Sequence, residues 1–322
     1  MDDFPAPQMI AAGDTNLAIY ESNGDHEGRS PPIVLVHGWP EIAFAWKNQI
    51  HTLAAEGFRV IAFDLKGFGN SDAPKDSALY DATHITADFC ALLDALSIER
   101  AIFCGHDWGG ALVWTMAQRH PERVAGVIGL CTPVLPRPPA PPLAIVKKRF
   151  GEKHYFVQFQ EPKVPEKLFE TDPDRFFRLM FQRPPPRERW AALVPRVYDL
   201  PGRFENAPPP SDDDIIIPAA DIQIYANAFR KSGFHGGMNI YRNIDRNWED
   251  MKGRDETVRA PSLWIGAELD LFLPPESAEK MVELVPDLEK HVIQGCGHWM
   301  MWEKPDEANA LIIDWLKRRF SA

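Results

Sequence analysis

The segment Gly105-His106-Asp107-Trp108-Gly109-Gly110 sets a carboxylate between the apolar run Ala101 to Cys104 and a helical pattern that opens at Ala111. A strand, a tight glycine-flanked turn and a helix make the elbow that usually presents a serine, written G-x-S-x-G. Aspartate changes the electrophile that can be turned over. Serine attacking a saturated carbon would leave an ether, a dead end. Aspartate attacking the same carbon leaves an ester whose carbonyl belongs to the enzyme, and water can release it. Asp107 therefore points to hydrolysis at an sp3 carbon bearing a leaving group, such as an epoxide or an alkyl halide.

A carboxylate nucleophile has no proton to lose, so a base is needed only for the water that cleaves the ester. His298, in Gly297-His298-Trp299 ahead of the final helix, is the candidate. Asp270, with Glu268 as its near rival, is the candidate that holds the imidazole and stabilises its charged form. The order 107, 270, 298 is the nucleophile, acid, histidine order of α/β-hydrolases. The tetrahedral intermediate at the Asp107 carbonyl needs N–H donors. Trp108, at the helix start, offers one; Trp39, in His37-Gly38-Trp39-Pro40, is expected to offer the second, with Pro40 stiffening the turn as a cis bond. An epoxide oxygen also needs an acid, and tyrosine is neutral yet able to donate. Of six tyrosines, Tyr155 and Tyr241 lie where an inserted region could hold them over Asp107.

These groups need a scaffold. Residues 33–36, 59–63, 101–104 and 124–130 read as short, continuously apolar strands, the form taken by strands buried on both faces of a parallel sheet. Ile85, Phe89, Leu92, Leu93 and Leu96 keep the spacing of a crossover helix. Eighteen of the thirty prolines then fall between 133 and 218, which predicts short helices joined by stiff loops. The strand pattern returns at 262–266 and 291–293, before a last helix with Ala308, Leu311, Ile312, Trp315 and Leu316 on one face. The expected fold class is α/β: a mostly parallel sheet flanked by helices, with an inserted helical cap. The core is expected at 1–132 and 246–322, and the cap at 133–245.

A chain of 322 residues that is 45% hydrophobic can bury a large core, and a net charge of −11 argues against nucleic acid or an anionic membrane surface as partner. The opening Met1-Asp2-Asp3-Phe4-Pro5 lacks the regions of a secretion signal, and no apolar stretch approaches membrane-spanning length, so a cytoplasmic location is expected. Cys90, Cys104, Cys131 and Cys296 show no paired spacing and read as small buried hydrophobes. Asp212-Asp213-Asp214 reads as the solvated first turn of a helix. No zinc, phosphate-loop or dinucleotide fingerprint is present, so no cofactor or metal is expected.

With these residues assembled, the chain from about 15 to 320 resembles an epoxide hydrolase of the α/β-hydrolase superfamily. The resemblance is carried by His37-Gly38-Trp39-Pro40-Glu41 with Trp46, by the Asp107 segment, and by the segments around Asp270 and His298, 28 residues apart. It is also carried by His154 to Pro162 and by Gly233 to Asn243. It implies Tyr155 and Tyr241 as the two donors to the epoxide oxygen, and a part for Glu41 in positioning the hydrolytic water. Lys66, where arginine is commoner, and Ile240, where tryptophan is, depart from the pattern. His37, Pro40, Glu41 and Trp299 are expected along the substrate pocket, walled also by the Trp39 and Trp108 side chains. The expected reaction is an apolar epoxide plus water giving a vicinal diol, by a monomer or homodimer. A haloalkane dehalogenase would use the same aspartate but has no evident task for two cap tyrosines. A non-catalytic binding protein would have no reason to keep every reacting group.

Overall fold

The computed structural model describes residues 4–23 and 30–320. Residues 1–3, which carry part of the amino-terminal reading, lie outside them. Eight strands form one sheet in the order β1-β2-β4-β3-β5-β6-β7-β8. They are β1 (Gln8–Ala12), β2 (Thr15–Asn23), β3 (Ile33–Val36), β4 (Arg59–Phe63), β5 (Ala101–His106), β6 (Val124–Leu130), β7 (Ser262–Ala267) and β8 (Leu288–Ile293). The β1–β2 and β2–β4 pairs are antiparallel, and every other neighbouring pair is parallel. Strands β3, β5, β6 and β7 are buried along their whole length. That burial explains their unbroken apolar runs.

Alternation within a strand divides the core into two layers. Val34 and Val36 join Ile61, Phe63 and Phe103 on one face; Ile33 and Leu35 join Val60, Ala62 and Ile102 on the other. The first layer is closed by α2 (Ala82–Ala95) and α3 (Trp108–Arg119). The second is closed by α1 (Ile50–Ala55) and a carboxy-terminal helix, Pro305–Phe320, whose Ala308, Ile312, Trp315 and Leu316 are buried. The sheet order matters for chemistry. The chain leaves β3 to one side, builds β4, then crosses to β5 on the other side. Loops leaving the carboxyl ends of β3 and β5 therefore diverge and open a crevice there.

Between β6 and β7 lies the helical insertion. It runs through α4 (Pro142–Phe150), α5 (Tyr155–Gln158), α6 (Val164–Glu170), α7 (Pro173–Met180) and α8 (Trp190–Tyr198). It continues with α9 (Leu200–Asn206), α10 (Ala219–Ser232), α11 (His235–Arg242) and α12 (Ile244–Asp250). Its helices share the first core layer through Phe159, Phe169, Phe176, Phe177 and Phe234, so cap and sheet are packed as one body. Proline opens α4, α6, α7 and α9, where a missing N–H costs nothing. The three aspartates at 212–214 form an exposed single 3₁₀ turn. Cys104, Cys131 and Cys296 are buried, Cys90 is half-buried, and all four are free thiols.

The antiparallel hairpin β1–β2 lies outside the strands read from the sequence. β8 also begins at Leu288, three residues before the predicted start at 291, because most of that edge strand faces solvent and carries charge.

Candidate active site

Asp107 leaves β5 and precedes α3 with φ 52° and ψ −120°. For a non-glycine residue this is a strained backbone, and strain of this kind gathers at functional sites. Its side chain caps no helix N–H. The bend is possible because neighbouring backbones touch: a Cβ on Gly109 would lie 2.0 Å from the Val36 carbonyl oxygen. The Thr132 hydroxyl, at the end of β6, donates to the Asp107 carbonyl at 2.7 Å and ties down the strained residue from beneath.

Asp107 Oδ1 accepts the Trp39 N–H at 2.8 Å. The Trp39–Pro40 peptide is cis. Trp108 is the first residue of α3, where a backbone N–H has no acceptor within its own helix. On the other side, His298 Nε2 faces Asp107 Oδ2 at 3.5 Å, and His298 Nδ1 lies 2.8 Å from Asp270 Oδ2. Asp270 is wholly buried; its Oδ1 accepts the N–H groups of Phe272 and Leu273, both at 2.9 Å. Burial alone would push the His298 pKa down. The Asp270 and Asp107 carboxylates outweigh it and hold the imidazole well above its ordinary value. Burial would likewise raise Asp270, but His298, the Leu273 N–H and the Cys131 thiol keep it below the ordinary carboxylate value.

Tyr155 opens α5 and Tyr241 lies on α11; their rings stand 5.7 Å apart at 71°. Tyr241 is 2% exposed, wedged edge-on against Trp39 at 5.5 Å and Trp108 at 4.9 Å. Burial first, then the Asp107 charge, raises the Tyr155 pKa. Burial, Tyr155 and Asp107 do the same for Tyr241, so both phenols stay protonated far into alkali. Asp107, His298, Tyr155 and Tyr241 line one cavity, walled also by apolar side chains including Met180, Val197, Leu200 and Phe272. A bound molecule there would meet a carboxylate and an imidazole from the sheet and two phenols from the cap.

The other expected pocket residues divide. Trp299 lines the cavity, as does Trp39. His37 and Glu41 lie beneath it, fully buried. His37 Nδ1–H donates to the Gly38 carbonyl at 2.8 Å while Nε2 accepts the Leu65 N–H at 3.0 Å, so the ring braces the loop in its neutral form. Pro40 is absent from the lining.

Three supports escaped sequence reading. His106 bridges Glu41 Oε2 at 2.9 Å and the His298 carbonyl at 2.8 Å, and Glu41 Oε2 also accepts the Gly38 N–H at 2.9 Å. One polar chain therefore ties the Trp39 loop to the histidine loop beneath the cavity. Glu303 takes the N–H groups on both sides of His298, Gly297 at 2.9 Å and Trp299 at 3.1 Å. Thr132 is the third. Only the E-x-x-x-x-x-G spacing read backwards from Glu303 to Gly297 could have hinted at the clamp, and no sequence rule assigns it.

Fold and site together define an α/β hydrolase with a carboxylate at the elbow in place of serine. The sequence pattern of the α/β hydrolase fold matches residues 31–305. The chain is 35% identical to epoxide hydrolase A of Mycobacterium tuberculosis, over 97% of each protein. It is 39% identical to bifunctional epoxide hydrolase 2 of Sus scrofa over 90% of this chain and 52% of that protein, so it spans about half the length of that relative. The crystal structure of epoxide hydrolase A from Mycobacterium thermoresistibile superposes with a TM-score of 0.85 at 34% identity, covering 97% of this chain and 98% of that one. The chain belongs to the epoxide hydrolases of the α/β-hydrolase family. No helix among the described residues is long and apolar enough to cross a membrane.

Proposed function

We propose that the protein hydrolyses an epoxide to a vicinal diol through an ester on Asp107, with residues 133–245 acting as the cap that carries the acids. Tyr155 and Tyr241 hold the epoxide oxygen, and one donates its proton as the C–O bond breaks. Asp107 Oδ2 attacks the ring carbon from the opposite side. Oδ1, already held by the Trp39 N–H, becomes the ester carbonyl oxygen. His298 then takes a proton from water, whose oxygen adds to the Asp107 carbonyl carbon. The oxyanion rests on the N–H groups of Trp39 and Trp108. Collapse expels the diol alkoxide, which takes the proton held by His298; the acid left on Asp107 returns its proton to the tyrosinate, which restores the carboxylate with one oxygen from water. Asp270 keeps the imidazole oriented throughout.

The observation that carries this reading is the shared cavity in which two buried phenols face a carboxylate paired with an imidazole. A halide-releasing enzyme would have no use for two acids placed there. Single turnover in oxygen-18 water tests it. The label should appear in Asp107 and only later in the diol; label passing straight into the first diol would rule out the ester.

A further inference from the structure

The two phenols reach the cavity from elements far apart in the chain. Tyr155 opens α5, a helix of four residues, and Tyr241 lies near the end of α11. A helix as short as α5 has no stability of its own, so its neighbours must set where Tyr155 stands. Tyr241 is already located by the core, its ring wedged edge-on against Trp39 and Trp108.

Two side chains tie these backbones together. Gln160 Nε2 donates to the Phe156 carbonyl at 2.8 Å, beside Tyr155, and to the Tyr241 carbonyl at 3.1 Å. The second of these carbonyls belongs to the last turn of α11, where no helical N–H follows to take it. Arg242, next to Tyr241, donates from Nη2 to the Glu161 carbonyl at 3.1 Å and pairs through Nη1 with Glu166 Oε1 at 2.6 Å. The side chains of that pair are only 12% and 8% exposed, unlike the cap's surface pairs Arg178–Asp212 and Arg230–Asp174. Glu166 Oε2 and Arg242 Nε have no hydrogen-bond partner among the described residues. A buried ion pair that is only partly satisfied adds little stability over apolar packing. Stability is therefore a poor reason for it to be there, and geometry a better one.

We infer that Gln160 and Arg242, with Glu166 as the anchor of Arg242, are positioning residues that hold Tyr155 in register with Tyr241, so that both hydroxyls reach one epoxide oxygen. None of the three lines the catalytic cavity. The inference deepens the reading above and rests on it, since Tyr155 must be one of the acids. Two donors on one oxygen leave little room for error: a displacement of about 1 Å can cost about 10²-fold in rate.

Single turnover of styrene oxide, followed by tryptophan fluorescence, tests this in Gln160→Leu and in Glu166→Met/Arg242→Met. First-order rate constants do not depend on the fraction of protein folded. Ester formation should slow about tenfold or more in each variant, while ester cleavage stays within about twofold of the parent. The paired variant should keep the parent's urea midpoint or exceed it, as apolar replacement of a buried ion pair often does. The slowing should vanish when Tyr155→Phe is added. It should persist with Tyr241→Phe, which keeps the carbonyl that Gln160 holds. Equal slowing in the Tyr155→Phe background, or slowing of both steps alike, overturns the positioning role. So does parent-like ester formation with a lowered urea midpoint, the mark of a purely structural tie. Unchanged ester formation in Tyr155→Phe alone would instead refute the acid reading, and the inference with it.

Discussion

Nε2 of His298 stands 3.5 Å from Oδ2 of Asp107, whereas its Nδ1 makes a 2.8 Å contact with Asp270. The histidine is therefore fixed from behind and only loosely paired in front. In the proposed mechanism, the space between Nε2 and Asp107 is where the hydrolytic water enters once the ester has formed. Alkylation would also remove the Asp107 charge, one of the two that raise the His298 pKa. Losing it lowers that pKa and turns the imidazole into a competent base at the moment one is required.

Asp107→Asn removes the same charge permanently. The carbon-13 shift of the His298 ring should titrate at lower pH in the variant than in the parent. A group whose folded pKa lies above its unfolded value stabilises the fold fully below the unfolded value, about 6.5 for histidine, and less as pH rises through the folded one. The parent's stability should thus decline with rising pH above that point more than the variant's. Identical titration midpoints would refute the coupling. Diol formation in the variant should fall by about 10⁴ or more.

Tyr155→Phe and Tyr241→Phe each remove a hydroxyl and little else from the cavity. Each should slow ester formation by about 10²-fold or more, the usual contribution of a placed acid. Cleavage of a preformed ester should hardly change. Stopped-flow tryptophan fluorescence reads the two steps separately, and equal slowing of both would remove the tyrosines from the acid role.

Glu303→Gln leaves only one acceptor oxygen for the two N–H groups that flank His298. A buried donor without a partner costs about 1–3 kcal/mol, visible as a lower urea midpoint. Because the clamp serves the histidine loop, the ester should accumulate to a higher level during turnover. A variant with normal ester levels and only reduced stability would make Glu303 purely architectural.

Gly109→Ala forces a Cβ against the Val36 carbonyl oxygen, which is backbone and cannot swing aside. A loss of about 3 kcal/mol is expected, at the upper end for overpacking. Activity should fall further than the folded fraction accounts for, since the clash lies under Asp107. Denaturant melts and active-site titration on one sample decide this.

Much of the sheet was readable because strands buried on both faces must be apolar throughout, as Ile33 to Val36 and Val124 to Leu130 are. The hairpin β1–β2 and the front of β8 were not, since edge strands need no such run. Asp107, His298 and Asp270 stood out because few structural tasks call for those types in that order between glycines. Glu303, by contrast, looks in sequence like any solvated charge, and nothing in the sequence marks the bracing parts of His37 and Glu41.

Sequence alone determined the kind of chemistry, because a carboxylate at a strand–helix elbow restricts the electrophile whatever surrounds it. It also determined the layering, because apolar period and proline placement act over a few neighbouring residues. Tertiary structure decided which polar groups meet: His106 reaches His298 across 192 positions, and Thr132 reaches Asp107 across 25. Such contacts depend on loops converging at one end of the sheet, and no local pattern of residues encodes where a distant loop will arrive.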